Sequence, residues 1–428
     1  MSELGPSPLT AGDLNLSVAD ARAAIHAALR PITDTEVVAL RDALGRVLAD
    51  DLDSTMDVPP HDNSAMDGYA FDGAALQPDA PLLLTSVATV YAGAPFAGTL
   101  AAGQCVRIMT GAVMPAGLDT VVPQELCSAS GEQVTIAPGT LRRGDNRRRR
   151  GEDLALGQPA LRAGRLLRPA DLGLAASLGF ETLTVRRRLK VALFSTGDEV
   201  TLPGQPLPPG GIYDSNRASL TGALQRLGVE VIDLGLVRDD PAALRAVLDQ
   251  AVQQADAVLT SGGVSVGDAD HTRDLLAQMG QVAFWKVAMR PGRPFAFGPL
   301  HAAAPDGAAR TTWLFALPGN PVAALVTFYA FAREALWRLA GAQPQPLPVL
   351  QARCTTAIRK RPGRTEFQRG IVSPAPDGSG WQVALTGSQG AGILRSLSEA
   401  NALVVLGHAQ GSVAAGEPVD VWLFDGLV

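Results

Sequence analysis

The chain's 428 residues, 46% of them hydrophobic, suffice to bury cores in roughly two to four domains. A net charge of −6 at pH 7 gives no global positive field for a nucleic-acid backbone or an anionic membrane, so neither is an expected partner. The three cysteines, Cys105, Cys127 and Cys354, are scattered and odd in number, which excludes a disulfide framework and a metal-knuckle spacing.

No stretch reaches the ~18 uninterrupted apolar residues of a membrane span, and Met1 to Asp20 carries acids without a leader pattern. A reducing cytoplasm is the expected location. With 45 Gly and 31 Pro against 5% aromatics, tight turns and compact loops are expected rather than long helical bundles.

In chain order, Ser17 to Arg30 places apolar residues at helical spacing behind a serine suited to capping. A second amphipathic helix is predicted from Asp34 to Leu48. From Asp51 to Arg150 short β-like runs such as PLLLTSVATVYAG, QCVRIMTGAV, DTVVPQE and EQVTIAP are split by Gly and Pro, as in a small β-rich domain. This segment ends in a basic run from Arg142 to Arg150. From about Arg188 to Ala340 apolar strands alternate with helices (LKVALFST, Arg217 to Leu227, VEVIDLGLV, Pro241 to Gln254, ADAVLTS, Asp270 to Met279, FAFG, TWLFALP, Asn320 to Leu339). That alternation predicts a doubly wound, mostly parallel sheet with helices on both faces. After the Pro-rich linker from Gln343 to Pro348, short strands predict a small β barrel or sandwich.

Ligands of an open parallel sheet bind beyond the carboxyl ends of its strands. The residues there are Thr196-Gly197-Asp198-Glu199, Arg238-Asp239-Asp240, the Gly-rich loop Ser261-Gly262-Gly263-Val264-Ser265-Val266-Gly267-Asp268 leading to Asp270, and Pro318-Gly319-Asn320-Pro321. A Gly-rich loop entering a helix frees backbone N–H groups for a phosphate, although such a loop is more often only a tight turn. Asn320 and Pro321 equally suit a helix start. Glu199, Asp239 and Asp270 are candidate Mg²⁺ ligands, each with a helix cap as the plain alternative. Lys286, in the apolar setting VAFWKVAM, and Arg290 with Arg293 can meet an oxyanion or diphosphate, against surface charge as the alternative. No G-x-G-x-x-G opens a helix, no G-x-x-x-x-G-K-[ST] exists, and the five histidines lack metal-ligand spacing.

Seven motifs together resemble the MoeA and gephyrin E-domain family in order and spacing: PPHDNSAMDGYA (Pro59 to Ala70), RIMTGA (Arg107 to Ala112), RRRGED (Arg148 to Asp153), FSTGDE (Phe194 to Glu199), YDSNR (Tyr213 to Arg217), Ser261 to Asp270, and LPGNP (Leu317 to Pro321). The resemblance runs from the first helix to the C-terminal strands. It implies a multidomain α/β protein. Residues 1–55 hold the N-terminal helices and the first part of an elongated linker domain, and residues 56–153 a β-rich insertion. Residues 154–187 complete the linker, residues 188–341 form a molybdopterin-adenylyltransferase-like α/β domain, and residues 342–428 a β barrel. It also implies a homodimer whose cleft lies between the α/β domain of one subunit and the insertion of the other.

The implied reaction is a molybdopterin molybdenumtransferase reaction, in which molybdate enters adenylylated molybdopterin with Mg²⁺-dependent release of AMP. By resemblance Asp67 and Thr110 come from the insertion, and Glu199, Asp239, Asp270 and Lys286 from the α/β rim. Ser261, Gly262, Gly263, Ser265, Arg290, Arg293, Pro318, Gly319, Asn320 and the C-terminal Arg369 are the expected substrate contacts. A molybdopterin adenylyltransferase is an expected partner. Arg290 and Arg293 stand where the family often has Lys, and Ala391 where it often has Ser. An adenylyltransferase, a noncatalytic scaffold and a competence-damage-type protein are the rival readings. The first would not require the insertion, the intact acidic rim speaks against the second, and the third lacks DNSAMDGYA and RRRGED.

Overall fold

The computed structural model describes residues 15–262, 275–303, 309–343 and 347–424. Its largest sheet has seven strands in the order Asn15–Leu16, Ala283–Val287, Pro294–Ala303, Ala309–Leu317, Ala257–Ser261, Lys190–Thr196, Glu230–Val237. Along Lys190–Thr196, Val191 and Leu193 pack with Ile25, Leu220 and Leu224, while Ala192 and Phe194 pack with Val247, Leu248 and Val252. Both faces are therefore covered by helices, which is why that strand reads as a continuous apolar run.

The last four strands of this order are parallel. Pro294–Ala303, however, runs antiparallel to both Ala283–Val287 and Ala309–Leu317, so the strand–helix alternation stops short of that hairpin. A parallel return needs a crossover of a dozen or more residues, usually a helix. The residues between these two strands are too few for one. Ser17 caps the helix Val18–Ala28 by accepting from the Asp20 amide, as the sequence predicts.

The helix expected from Asp34 to Leu48 is absent. Thr35–Ala39 is a strand antiparallel to Thr182–Arg186, followed by a single 3-10 turn at Leu40–Asp42. Thr35, Val37 and Val38 are stiff at χ1 and favour extended backbone, and a strand about 147 residues away supplies the ladder. Leu52–Asp53 likewise pairs with Pro159–Leu161. Ala43, Leu48, Leu161, Leu167, Ala175, Leu183 and Val185 share one small core, so two distant chain segments make one unit.

Between them lies a six-stranded sheet in the order Thr120–Pro123, Gly68–Phe71, Gln104–Ile108, Leu82–Val90, Gln133–Ile136, Ser128–Ser130. Beside it, Asn63–Ser64 pairs with Arg147–Arg148, which joins the DNSAMDGYA and RRRGED motifs. Much of the basic run is neutralised locally. Arg148 meets Glu152 at 2.7 Å, and Arg150 meets Asp57 at 2.6 Å.

The C-terminal strands close on themselves. Thr365–Pro374 pairs with Trp381–Leu385 and with Ala402–Leu406, and Leu350–Cys354 and Pro418–Leu423 complete the ring. This is a five-stranded barrel filled by Ala352, Val372, Val383, Val404, Val419 and Val421. Met289–Arg290 adds to its edge, parallel to Thr365 and Glu366, and ties the barrel to the large sheet.

Candidate active site

The four parallel strands of the large sheet end at one edge, where a cavity of about 650 Å³ opens. Of the predicted residues it gathers Glu199, Asp239, Ser261, Gly262, Pro318, Gly319 and Asn320. Gly263, Ser265 and Asp270 lie outside the described residues. The helix-cap alternative fails for both described acids. Asp214 caps Ser215–Arg226 and Asp240 caps Pro241–Gln254, each accepting a backbone amide three residues on. Pro321 does open its helix, but the Asn320 side chain makes no cap bond and lines the cavity instead.

Gly262 sets how closely the rim loops approach. Its φ is +96°, and a Cβ there would lie 2.7 Å from the Thr196 carbonyl oxygen and from Thr196 Oγ1. Asn216 joins two of the loops, because its Nδ2 donates to Ser261 Oγ and to the Gly319 carbonyl, each at 2.6 Å. Buried Asp214 accepts from Ser195 Oγ and from the Arg217 amide, both at 3.1 Å. Sequence reasoning cited YDSNR as a motif yet gave Asn216 and Asp214 no role. The available signal was a run of short polar residues at a helix start beside the strand-end rim. Pro294 and Gly392 also line the cavity and left no such signal.

The predicted cations divide. Lys286 sits on the strand Ala283–Val287, opposite the cavity residue Pro294. Arg290 and Arg293 are exposed nearby. Arg369, expected as a substrate contact, has a fully buried side chain. It donates to Ser396 Oγ at 3.0 Å and to the carbonyls of Ser388, Gln389 and Gly390 at 3.0–3.2 Å. Burial and the positive charge of Arg290 push its pKa down to about 10. The family resemblance alone placed this arginine, which precedes the loop carrying Ala391, at the substrate. In the barrel it braces that loop, whose Ala391 carbonyl accepts from the Val322 amide at 3.0 Å.

Asp67 and Thr110 meet at the ends of the adjacent strands Gly68–Phe71 and Gln104–Ile108. The Thr110 amide and hydroxyl both donate to Asp67 Oδ1 at 2.7 Å. These two donations, with Arg107 adding its positive charge, hold the carboxyl below its ordinary value. Both residues are exposed, and neither lines the strand-end cavity of the same chain.

Among the described residues no group of three or more His, Cys, Asp or Glu is gathered to hold a metal. Mg²⁺ usually takes one or two carboxylates, with waters and substrate phosphates completing its shell. Glu199 and Asp239, lining one cavity, fit that donor set.

The MoeA N-terminal region (domain I and II) matches residues 16–179, a probable molybdopterin binding domain matches 192–338, and the MoeA C-terminal region (domain IV) matches 351–424. A molybdopterin molybdenumtransferase of Haemophilus influenzae is 42% identical over 398 residues, covering 92% of this chain and 95% of that protein. One from Nostoc is 38% identical over 391 residues, covering 90% and 88%. The crystal structure of a molybdopterin biosynthesis moeA protein from Pyrococcus horikoshii superposes with a TM-score of 0.80 at 28% identity, covering 96% of this chain and all of that one. Among the described residues no helix is long and apolar enough to cross a membrane.

Proposed function

The chain belongs to the MoeA family, and from that premise we propose that it is a molybdopterin molybdenumtransferase. Its substrates are adenylylated molybdopterin and molybdate, and its products are AMP and molybdenum cofactor. The observation that carries this reading is the strand-end cavity, where Glu199 and Asp239 stand beside Ser261, Gly262, Gly319 and Asn320 without serving as helix caps.

Water attacks phosphorus in the phosphoanhydride and the bond to the AMP leaving group breaks. The pterin's two sulfurs then bond to molybdenum as oxygen leaves as water, with no change of oxidation state. The rim supplies backbone N–H groups for the phosphates. Glu199 and Asp239, with Asp270, would hold Mg²⁺, which supplies charge neutralisation at the diphosphate. Lys286, Arg290 and Arg293 take the oxyanion side of the site.

Asp67 belongs to the same reaction from across a subunit boundary. Its Oδ1 is engaged by Thr110, so the other oxygen accepts a hydrogen bond from the attacking water. A carboxylate held below its ordinary range is a poor base but a dependable acceptor, which makes Asp67 an orienting group. The separation of this pair from the cavity of its own chain supports a homodimer with a shared cleft. A molybdopterin adenylyltransferase would deliver the substrate, and the cytoplasm is the expected compartment.

The test incubates purified protein with adenylylated molybdopterin, Mg²⁺ and either molybdate or tungstate, following AMP release and the metal content of the pterin. Oxyanion-dependent AMP release with metal insertion is expected. Absence of release under every condition would overturn the assignment.

A further inference from the structure

Asn216 stands in the first turn of the helix Ser215–Arg226, two residues after the Asp214 cap, and its side chain spans two loops of the strand-end cavity. The Gly319 carbonyl can only accept a hydrogen bond, so the atom 2.6 Å from it is the amide nitrogen. That settles the sense of the other contact. The same Nδ2 lies 2.6 Å from Ser261 Oγ, and its second hydrogen is donated to that hydroxyl. Asn216 Oδ1 is buried and has no partner among the described residues, so the amide is held in this sense by its two donations and not by any bond to its oxygen.

A serine hydroxyl has one hydrogen to give and two lone pairs to receive. Left to rotate, it presents either to a ligand, and a lone pair facing an anionic oxygen is repulsive. With Asn216 donating to it, Ser261 Oγ is committed as an acceptor on the helix side, and among the described residues its own hydrogen goes to no protein acceptor. Ser261 ends the strand Ala257–Ser261 and lines the cavity beside Gly262, Gly319 and Asn320.

We infer that Asn216 is a positioning residue: by donating to Ser261 Oγ it turns the serine hydrogen toward the cavity and makes that hydroxyl a dedicated donor to a phosphate oxygen of the ligand. An aspartate in its place has the same shape and no hydrogen to give when ionised, so it would draw the serine hydrogen toward itself and away from the ligand. The inference rests on the proposed function, which puts a phosphate in this cavity. It concerns one hydrogen bond, however, and is measured on AMP without turnover.

The experiment titrates the full chain with AMP by calorimetry for the parent, Ser261→Ala, Asn216→Ala and the double variant, with melting temperatures to report folding. Loss of a hydroxyl that donates to a charged oxygen should weaken AMP about tenfold or more. Asn216→Ala should weaken it about three- to tenfold, because the hydroxyl keeps its hydrogen and loses its orientation. In the Ser261→Ala background the same substitution should cost less than about twofold, since the group it orients is gone. A brace that only held the two loops together would cost the same in both backgrounds. Asn216→Asp, nearly identical in shape, replaces the alanine variant if that one fails to fold, and its loss should likewise shrink once Ser261 is alanine. Equal losses in the two backgrounds, or no AMP binding by the parent, would overturn the inference. Coupled losses in a protein that releases no AMP from adenylylated molybdopterin would uphold it and overturn the transferase assignment instead.

Discussion

Because two donors from Thr110 converge on one oxygen of Asp67, that carboxylate ionises more readily than its unfolded counterpart. A depressed folded value stabilises the fold above the unfolded carboxyl value of about 3.9 and loses that contribution as pH falls through the lowered one. Any acidic limb of the pH–rate profile that belongs to Asp67 therefore lies below the ordinary carboxylate range. Thr110→Val removes one of the two side-by-side donations and keeps the amide, so the Asp67 titration seen by carbon NMR should move upward. An unchanged titration would refute the account. Asp67→Ala should leave folding intact while lowering turnover by about 100-fold or more, and wild-type turnover in that variant would remove the residue from the mechanism. Arg369 behaves differently. Its truncation to Ala strands the carbonyls of Ser388, Gln389 and Gly390, so we expect a loss of about 2–4 kcal/mol, read as a lower thermal midpoint.

The rim elements are held by close approach. Gly262→Ala would place a methyl 2.7 Å from the Thr196 carbonyl at a φ of +96°, which costs about 1–3 kcal/mol. It should also weaken substrate binding more than an alanine on the exposed face of Pro241–Gln254. Equal substrate KM in the two variants would count against the tight rim. The same elements show what the sequence discloses. The apolar runs from Lys190 to Thr196 and from Ala257 to Ser261 announced buried parallel strands, and the strand-end rule then located Glu199 and Asp239. Thr35–Ala39 was misread as helix because its partner, Thr182–Arg186, is far along the chain, and local periodicity carries no record of a distant ladder. The burial of Arg369 was hidden for a related reason. Its charge is visible in the sequence, whereas the carbonyls that consume it come from a loop folded over it. Asn216 went unassigned because only the folded state brings its amide to Ser261 and Gly319.

At the scale of the molecule, the Asp67–Thr110 pair and the strand-end cavity occupy separate parts of one chain. If two subunits complete each other's cleft, mixing Asp67→Ala and Glu199→Ala proteins after subunit exchange should restore about a quarter of parental activity. Half the dimers are then mixed, and each mixed dimer holds one intact site. No recovery, with exchange verified by mass, would place both residues in a single-chain site. The nesting of the chain matters during synthesis as well. The insertion sheet draws every strand from residues between Gly68 and Ile136, so it can close while the ribosome is still at work. Asn15–Leu16, by contrast, pairs with Lys286–Val287, about 270 residues later, a wait of roughly 15–50 s at ~5–20 residues per second. Throughout that interval the helix Val18–Ala28 stands with Ala21 and Ile25 bare of the strands that will cover them, so this segment is long in need of a chaperone.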